Sequence, residues 1–231
     1  MLLCLDEPWP ELLQALFEAS KSLHASFREG AFRIFTTTPG IIEKQHSDIA
    51  KGVFSDGFAD PEQTVRIAAI EAFTAFFRSI KKPAQKAYHG LLQNILMILV
   101  PLREQQDSDS LGQALVALME LAEVSPVMFK SVFGEVVEFG ITVVRDKDLT
   151  DTTRQNALEF LVTFADTAPN MCRKDPNYTS EMVTQCLSLM TDIGADDDDA
   201  SEWNDTDDVG LFLSLALSPE AGILTSVCNL A

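Results

Sequence analysis

Apolar side chains recur along this chain at the spacing of amphipathic helices, and alternating strand-like patterns are nearly absent. One template, with offsets of 0, 3, 4, 7, 8 and 11 residues, fits four segments that start at Phe27, Val65, Leu111 and Thr153. Side chains at these offsets lie on one face of a helix, because an α-helix has about 3.6 residues per turn. Polar residues at some template positions, such as Asn156, make the match imperfect. The pattern predicts an all-α protein.

The four segments follow one another at a nearly constant distance. Their starts lie 38, 46 and 42 residues apart, and a period of about 40 to 47 residues with two helices per unit is typical of HEAT and armadillo arrays. Arg28, Arg66 and Arg154 directly follow three of the starts, and Asp60 and Asp148 lie five residues before two of them. This order of acidic turn, arginine and small residues is similar to the HEAT signature. Unrelated amphipathic helices are the alternative interpretation.

Each of these helices needs a preceding helix to complete a hairpin. The sequence predicts such first helices at Glu11–Lys21, Glu43–Ser55, Ala84–Gln105 and Val127–Arg145, and a fifth at about Tyr178–Thr191. The predicted fold is an α–α superhelix, a HEAT- or armadillo-like solenoid of about four to five helical hairpins over residues 1–195. Stacked hairpins bury their apolar faces only against neighbours and leave a long concave wall, which suits protein recognition.

The net charge of the chain indicates which classes of partner it can bind. The chain has 17 Lys and Arg against 35 Asp and Glu, a formal net charge of -18. Nucleic acid and anionic membranes are disfavoured, because binding them requires many cationic contacts. Basic proteins are favoured, and the negative field steers them from a distance. Solubility alone is the alternative explanation for the charge.

Much of this charge lies in one segment, residues 196–208, which carries eight acids and no cation among thirteen residues. Like charges repel one another, so we expect an extended acidic loop here and not a helix. A tryptophan in its middle is an anchor that a partner could bind. The candidate partner-binding residues are Asp196, Asp197, Asp198, Asp199, Glu202, Trp203, Asp205, Asp207 and Asp208.

Two other interpretations of the acidic loop remain open. A calcium loop has a glycine at its sharp turn and a glutamate at its end, and Asp196 to Asp208 lacks both. A disordered acidic linker without any partner is the other alternative. The partner-binding interpretation depends on Trp203, since a solvated linker gains little from an aromatic side chain.

Signals for catalysis or cofactor binding are missing from the sequence. Cys4, Cys172, Cys186 and Cys228 have no zinc or redox spacing, and no GxSxG, HExxH, P-loop or dinucleotide motif occurs. Three isolated histidines, at positions 24, 46 and 89, are expected on or beside helices. We therefore expect no enzyme, cofactor or metal site. A Cys–His pair assembled by the fold is the remaining enzyme hypothesis.

Targeting signals are also missing. The N-terminal sequence MLLCLDEPWPELL has no basic region and carries early acids, so it is not a secretory signal. No apolar run reaches the roughly 18 to 20 residues of a membrane span. We expect no membrane insertion.

Four stretches of the sequence form a recognisable pattern, namely FREGAFRIF, DPEQTVRIAAIEAF, TRQNALEFLVTFAD and DDDDASEWND, the last containing Trp203-Asn204. Together they resemble the importin-β superfamily of nuclear import receptors, and within it the importin beta-three type. The resemblance covers about residues 8–208. It implies a partial chain from the middle of the receptor's N-terminal HEAT repeats.

The resemblance implies several partners. They are basic cargo proteins such as ribosomal proteins and histones, Ran-GTP, which releases the cargo, and phenylalanine-glycine nucleoporins. It implies a location in the cytoplasm, the nucleus and the nuclear pore, and it makes the acidic loop a contact for cargo or Ran. A HEAT-repeat scaffold or regulatory subunit of a signalling complex is the alternative function.

The last segment, residues 209–231, departs from this pattern. It is largely apolar and has one charged residue, Glu220. Its apolar run, Val209 to Leu217, is too short to span a bilayer. We interpret it either as an artefact of a partial gene model or as a helix that docks on the fifth hairpin.

Overall fold

The computed structural model describes residues 10–43 and 47–192, and the regular elements within these ranges are helical. The α-helices are α1 Pro10–Ala19, α2 Ala25–Thr37, α3 Gly40–Glu43, α4 Ser47–Phe58, α5 Gln63–Ser79, α6 Lys82–Gln85, α7 Leu92–Glu104, α8 Ser108–Val124, α9 Phe133–Arg145, α10 Asp151–Thr167, α11 Pro169–Cys172 and α12 Tyr178–Asp192. Short 3₁₀ helices cover Lys86–Leu91 and Pro126–Phe129. The predicted all-α class is confirmed.

The chain divides into two compact units, with the boundary between Met128 and Phe129. The first unit contains three helical hairpins, α1 with α2, α4 with α5, and α7 with α8. The second helices of these hairpins lie side by side in chain order, because α5 packs against both α2 and α8. The first helices α4 and α7 also pack together. This is the stacking that the repeat period predicted.

Helix α5 is the centre of the first unit and is buried on most of its surface. Every template position that starts at Val65 is buried, and Phe73 and Phe76 form a cluster with Phe54 of α4 at ring-centroid distances of 5.3 Å. Aromatic pairs in such tilted and edge-to-face arrangements add to the free energy gained from burial alone. The spacing of the template therefore identified the core of this hairpin.

The same template is only partly right for α2. Phe27 is 60% exposed and Ile34 is 41% exposed, whereas Phe32, which the template omits, is 1% exposed. Helix α2 packs against α1 and α5, and the flank that meets them carries Phe32 and Phe35. The sequence predicted an apolar face correctly but placed its centre too close to Phe27.

The second unit is built around the hairpin of α9 and α10. Helix α12 packs against both of them and begins at Tyr178, as predicted for the fifth first helix. The Tyr178 hydroxyl is fully buried and donates to the Leu161 carbonyl at 2.6 Å. Gly140 lets α9 approach α10 closely, since a Cβ there would lie 2.9 Å from the Leu161 side chain.

Two predicted first helices are shorter in the structure. The helix expected over Ala84–Gln105 begins at Leu92 as α7, and the one expected over Val127–Arg145 begins at Phe133 as α9. Before α7, a short helix and a 3₁₀ turn redirect the chain, so that Tyr88 is 5% exposed and packs edge-on against Phe76 at 5.1 Å. Tyr88 thereby joins the aromatic core of the first unit.

Candidate protein-binding surface

The predicted site lies outside the described residues. This holds for the whole acidic loop, Asp196, Asp197, Asp198, Asp199, Glu202, Trp203, Asp205, Asp207 and Asp208, and for residues 209–231. Cys4, His46 and Cys228 also lie outside these ranges. A candidate surface must therefore be built from the helices of the two units.

At least partly exposed side chains, all polar except Val116, form a stripe along each second helix of the first unit. On α5 the positions Thr64, Glu71 and Arg78 recur every seven residues and stay at least partly exposed in a mostly buried helix. We call the combined stripes of α2, α5 and α8 the second-helix face. Its members are Glu29, Arg33, Thr64, Glu71, Arg78, Asp109, Gln113, Val116, Glu120 and Glu123. A search for polar positions between the apolar template positions would have found it in the sequence.

Side-chain contacts join the three stripes into one surface. Arg78 Nη1 of α5 donates to Glu120 Oε2 of α8 at 2.6 Å. Within α2, Arg33 Nε donates to Glu29 at 2.8 Å and is the largest cause that lowers the pKa of Glu29, and Thr64 of the neighbouring α5 lowers it further. These contacts place the exposed side chains of neighbouring hairpins on the same side of the unit.

The second-helix face carries an excess of negative charge. It has five carboxylates and two cations, and both cations are already paired, Arg33 with Glu29 and Arg78 with Glu120. Within the described residues, Glu71, Asp109 and Glu123 form no ion pair. These three carboxylates are free to attract cations of a partner.

Arginines near the start of three second helices, α2, α5 and α10, donate to backbone carbonyls of the preceding segment. Arg28 Nη1 donates to the carbonyl oxygens six and five residues before it, at 2.9 Å and 3.3 Å. Arg66 Nη1 makes the same pair of bonds, to the Asp60 and Pro61 carbonyls, at 2.8 Å and 2.9 Å. Arg154 Nε instead donates to the Val144 carbonyl at 2.9 Å. These bonds join α2, α5 and α10 to the segments before them, whereas α8 has Gly112 at the corresponding position.

Polar contacts connect the starts of successive second helices in the first unit. Arg28 pairs with Asp60 at 2.6 Å, and the Gln63 amide donates to Asp107 and Ser110 at the start of α8. Burial works to raise the pKa of Asp60, but hydrogen bonds from Arg28 and from the Glu62 N–H outweigh it and lower the pKa. The same two effects act on Asp107. Burial works to raise its pKa, but hydrogen bonds from Ser110 and Gln63 outweigh burial and lower the pKa.

The second unit repeats the acidic character on α10. Gln155, Asn156, Glu159, Thr163 and Asp166 follow one another at helical spacing and remain at least partly exposed. This stripe carries two carboxylates and no cation. The exposed sides of the second helices in both units therefore suit a basic partner.

The groups that an enzyme could use do not form a reactive centre among the described residues. Cys172 and Cys186 are buried, and burial raises the pKa of both thiols, that of Cys172 to about 11. His24 is exposed beside Phe27, and burial and then Lys86 lower the pKa of His89. In these parts of the chain, no group of three or more metal-ligating side chains comes together, and no helix is long and apolar enough for a bilayer.

Family models and known proteins are similar to this chain over most of its length. A family model described as "IPO5-like, TPR repeats" matches residues 4–139, and one described as "Importin repeat" matches residues 146–210. The importin subunit beta-3 of Saccharomyces cerevisiae is 38% identical over 200 residues, which is 87% of this chain and 18% of that protein. The chain thus spans about a fifth of the length of this relative.

Solved structures show the same fold. The crystal structure of Kap121p bound to RanGTP is 38% identical and superposes with a TM-score of 0.77 over 88% of this chain and 19% of the other chain. That of Kap121p bound to Nup53p gives a TM-score of 0.78 at 38% identity, over 88% of this chain and 20% of the other.

Proposed function

We propose that this chain, which belongs to the importin-β family and within it to the importin beta-3 type, is a protein-binding segment of a nuclear import receptor. Its membership confirms the resemblance predicted from the sequence, and the predicted HEAT-repeat solenoid class is confirmed with it. The observation that carries the proposal is the second-helix face, where Glu71, Asp109 and Glu123 remain without cationic partners.

The chemistry of this face favours a basic cargo segment. Lysine and arginine side chains of a ribosomal protein or a histone would pair with these carboxylates. Each exposed pair contributes only about 0.2 to 1 kcal/mol. Useful affinity therefore requires several pairs at once, and salt should weaken the binding, since the Debye length is about 10 Å at 0.1 M ionic strength.

The acidic loop, residues 196–208, belongs to the same proposal as a second contact for cargo or for Ran-GTP. The support is its eight carboxylates with Trp203 among them, together with the similarity to a Kap121p structure bound to RanGTP. A receptor of this kind moves between cytoplasm and nucleus, so we place the chain in both and at the nuclear pore. No enzymatic activity is part of this proposal.

Apolar side chains on the first helices suit phenylalanine-glycine nucleoporins. Ile49 of α4 is 46% exposed, and Met97 and Val100 of α7 are 68% and 48% exposed. Space is open beside Gly52, where an added Cβ would meet nothing within 4 Å. Because α4 and α7 pack together, these residues lie on neighbouring helices that a phenylalanine side chain could contact.

The test is binding of a fluorescent histone-tail peptide to the full chain, followed by anisotropy at low and high salt. We expect the double variant Glu71→Gln/Glu123→Gln to weaken binding several-fold, because two exposed pairs contribute on the order of 1 kcal/mol together. The matched control is Glu104→Gln/Glu138→Gln, which removes the same charge from exposed positions outside the second-helix face. Its binding should stay close to that of the unchanged chain.

Deletion of residues 196–208 tests the acidic loop separately, and GTP-loaded Ran should displace the peptide. The proposal would be contradicted if the affinity for the peptide were the same at low and high salt, in the double variant and in the deletion variant. A static scaffold predicts no response to Ran.

A further inference from the structure

One long stretch of this acidic chain contains no acid. Between Glu71 and Glu104 there is no Asp or Glu, although the chain has 35 such residues. The same stretch carries five cations, Arg78, Lys81, Lys82, Lys86 and Arg103. Positive charge is therefore concentrated here against the overall balance.

The structure places three of these cations in the connection between α5 and α7. Lys81, Lys82 and Lys86 lie just before, within and just after the short helix α6, and all three are exposed. None of the three forms an ion pair with any residue of the described ranges. We call these residues the lysine turn.

Buried side chains hold the backbone of the lysine turn in place. Gln85 is 4% exposed, and its amide nitrogen donates to the Phe77 carbonyl at 3.1 Å and to the Ile80 carbonyl at 3.5 Å. Tyr88 anchors the other end of the turn in the aromatic core. A surface that is already ordered loses less conformational entropy when a partner binds.

A fourth cation lies beside the same turn. The Lys51 ammonium of α4 is 5.9 Å from the centre of the Tyr88 ring, and its nearest carboxylate is Asp48 at 3.6 Å. Because α4 packs against the 3₁₀ helix that carries Tyr88, Lys51 lies next to the lysine turn, but Asp48 offsets its charge. The net positive charge of this surface therefore comes from the three lysines of the turn.

From this arrangement we propose that the lysine turn binds a short acidic segment of a partner protein. Each ammonium has three donors and no acceptor, so carboxylates are its natural partners. A nucleic acid is disfavoured, because a long polyanion would also meet the negative remainder of a chain with net charge -18. A short segment avoids that repulsion, since charges beyond roughly 10 Å are screened at 0.1 M salt. This surface is opposite in sign to the second-helix face and takes a different partner.

The experiment uses the full chain and a fluorescein-labelled decaglutamate peptide, with anisotropy measured at low and high salt. The variant Lys81→Gln/Lys82→Gln/Lys86→Gln should bind about tenfold more weakly, because three exposed pairs contribute on that order together. The control, Lys21→Gln/Lys130→Gln/Lys174→Gln, removes the same charge from exposed lysines elsewhere that also form no ion pair among the described residues. It should change binding by no more than about twofold, through the long-range field alone.

Circular dichroism of both triple variants should match that of the unchanged chain, because all six lysines are exposed. Equal losses in the two triple variants would overturn the proposal, as would a failure of the unchanged chain to bind decaglutamate at low salt. A decathymidylate oligonucleotide serves as the second probe. If it binds as tightly as decaglutamate, the assignment to an acidic protein segment is overturned.

Discussion

Arg28 of α2 donates two hydrogen bonds to the carboxylate of Asp60, which lies 32 residues later in the turn before α5. The Nε–Oδ2 distance is 2.6 Å and the Nη2–Oδ1 distance is 2.8 Å. The side chains are 13% and 8% exposed, and the same carboxylate accepts the Glu62 N–H at 2.9 Å. One ion pair therefore connects two successive second helices and also stabilises the start of the later one.

The variant Asp60→Asn should lower the free energy of unfolding by about 1 to 2 kcal/mol, because it removes a charge-assisted, largely buried hydrogen-bonded pair. Urea denaturation followed by circular dichroism measures the change. Asp48→Asn is the control, since the Asp48 side chain is 94% exposed, and it should cost no more than about 0.5 kcal/mol. Equal effects of the two variants would show that the pair with Arg28 contributes nothing.

The contribution of Asp60 should depend on pH in the acid range. Its pKa is lower in the folded chain than the ordinary 3.8, so the folded state binds the proton less readily than the unfolded state does. The stabilisation is complete above the ordinary value and is lost as the pH falls through the folded-state pKa. The difference in unfolding free energy between the unchanged chain and Asp60→Asn should thus shrink in that window. If this difference in unfolding free energy grew as the pH fell, the pKa of Asp60 could not be lowered in the folded chain.

Two glycines of α4 should respond oppositely to alanine. A Cβ at Gly57 would clash with Phe32 and lie 2.8 Å from Ala69 Cβ, whereas at Gly52 it would meet nothing within 4 Å. Gly57→Ala should destabilise the protein by about 1 to 3 kcal/mol through overpacking. Gly52→Ala should stabilise it by about 0.5 to 1 kcal/mol, because alanine suits a helix interior better. Thermal unfolding of both variants checks the signs, and similar shifts would argue against the close approach of α4 to α2.

The buried hydroxyl of Tyr178 should matter for stability. Tyr178→Phe removes the donor to the Leu161 carbonyl and should cost about 1 kcal/mol in urea denaturation. Tyr88→Phe is a matched control, because Tyr88 is also buried in an aromatic cluster, and its hydroxyl makes no hydrogen bond with residues 10–43 or 47–192. A larger loss for Tyr88→Phe than for Tyr178→Phe would contradict the role of this hydrogen bond.

Cys172 and Cys186 should be unreactive in the folded protein. Both are buried, and the pKa of Cys172 is raised to about 11, so very little thiolate is present at neutral pH. In the variant Cys4→Ser/Cys228→Ser, a thiol reagent such as dithionitrobenzoate should label two thiols only after unfolding in urea. Rapid labelling without denaturant would show that these cysteines are accessible.

Much of the candidate surface could be read from the sequence, but its electrostatic state could not. The seven-residue recurrence of Thr64, Glu71 and Arg78 between apolar positions indicates an exposed stripe from the sequence alone. That Arg78 pairs with Glu120 and leaves Glu71 without a cation depends on which helices become neighbours. The same division holds for the lysine turn. The lack of acidic residues between Glu71 and Glu104 is visible in the sequence, whereas the hydrogen bonds of Gln85 that hold the turn are not.

The sequence by itself determined the helical class, the repeat period and the recurrence of arginine just after three of the four template starts. These features depend on contacts within a few residues, which the order of side chains specifies directly. The tertiary structure alone decided that Phe32 is buried in place of Phe27, that α7 begins at Leu92 and that Gly57 admits a neighbouring ring. Burial is set by helices that are distant in sequence, and a helix exposes or covers a side chain according to the flank on which its neighbours pack.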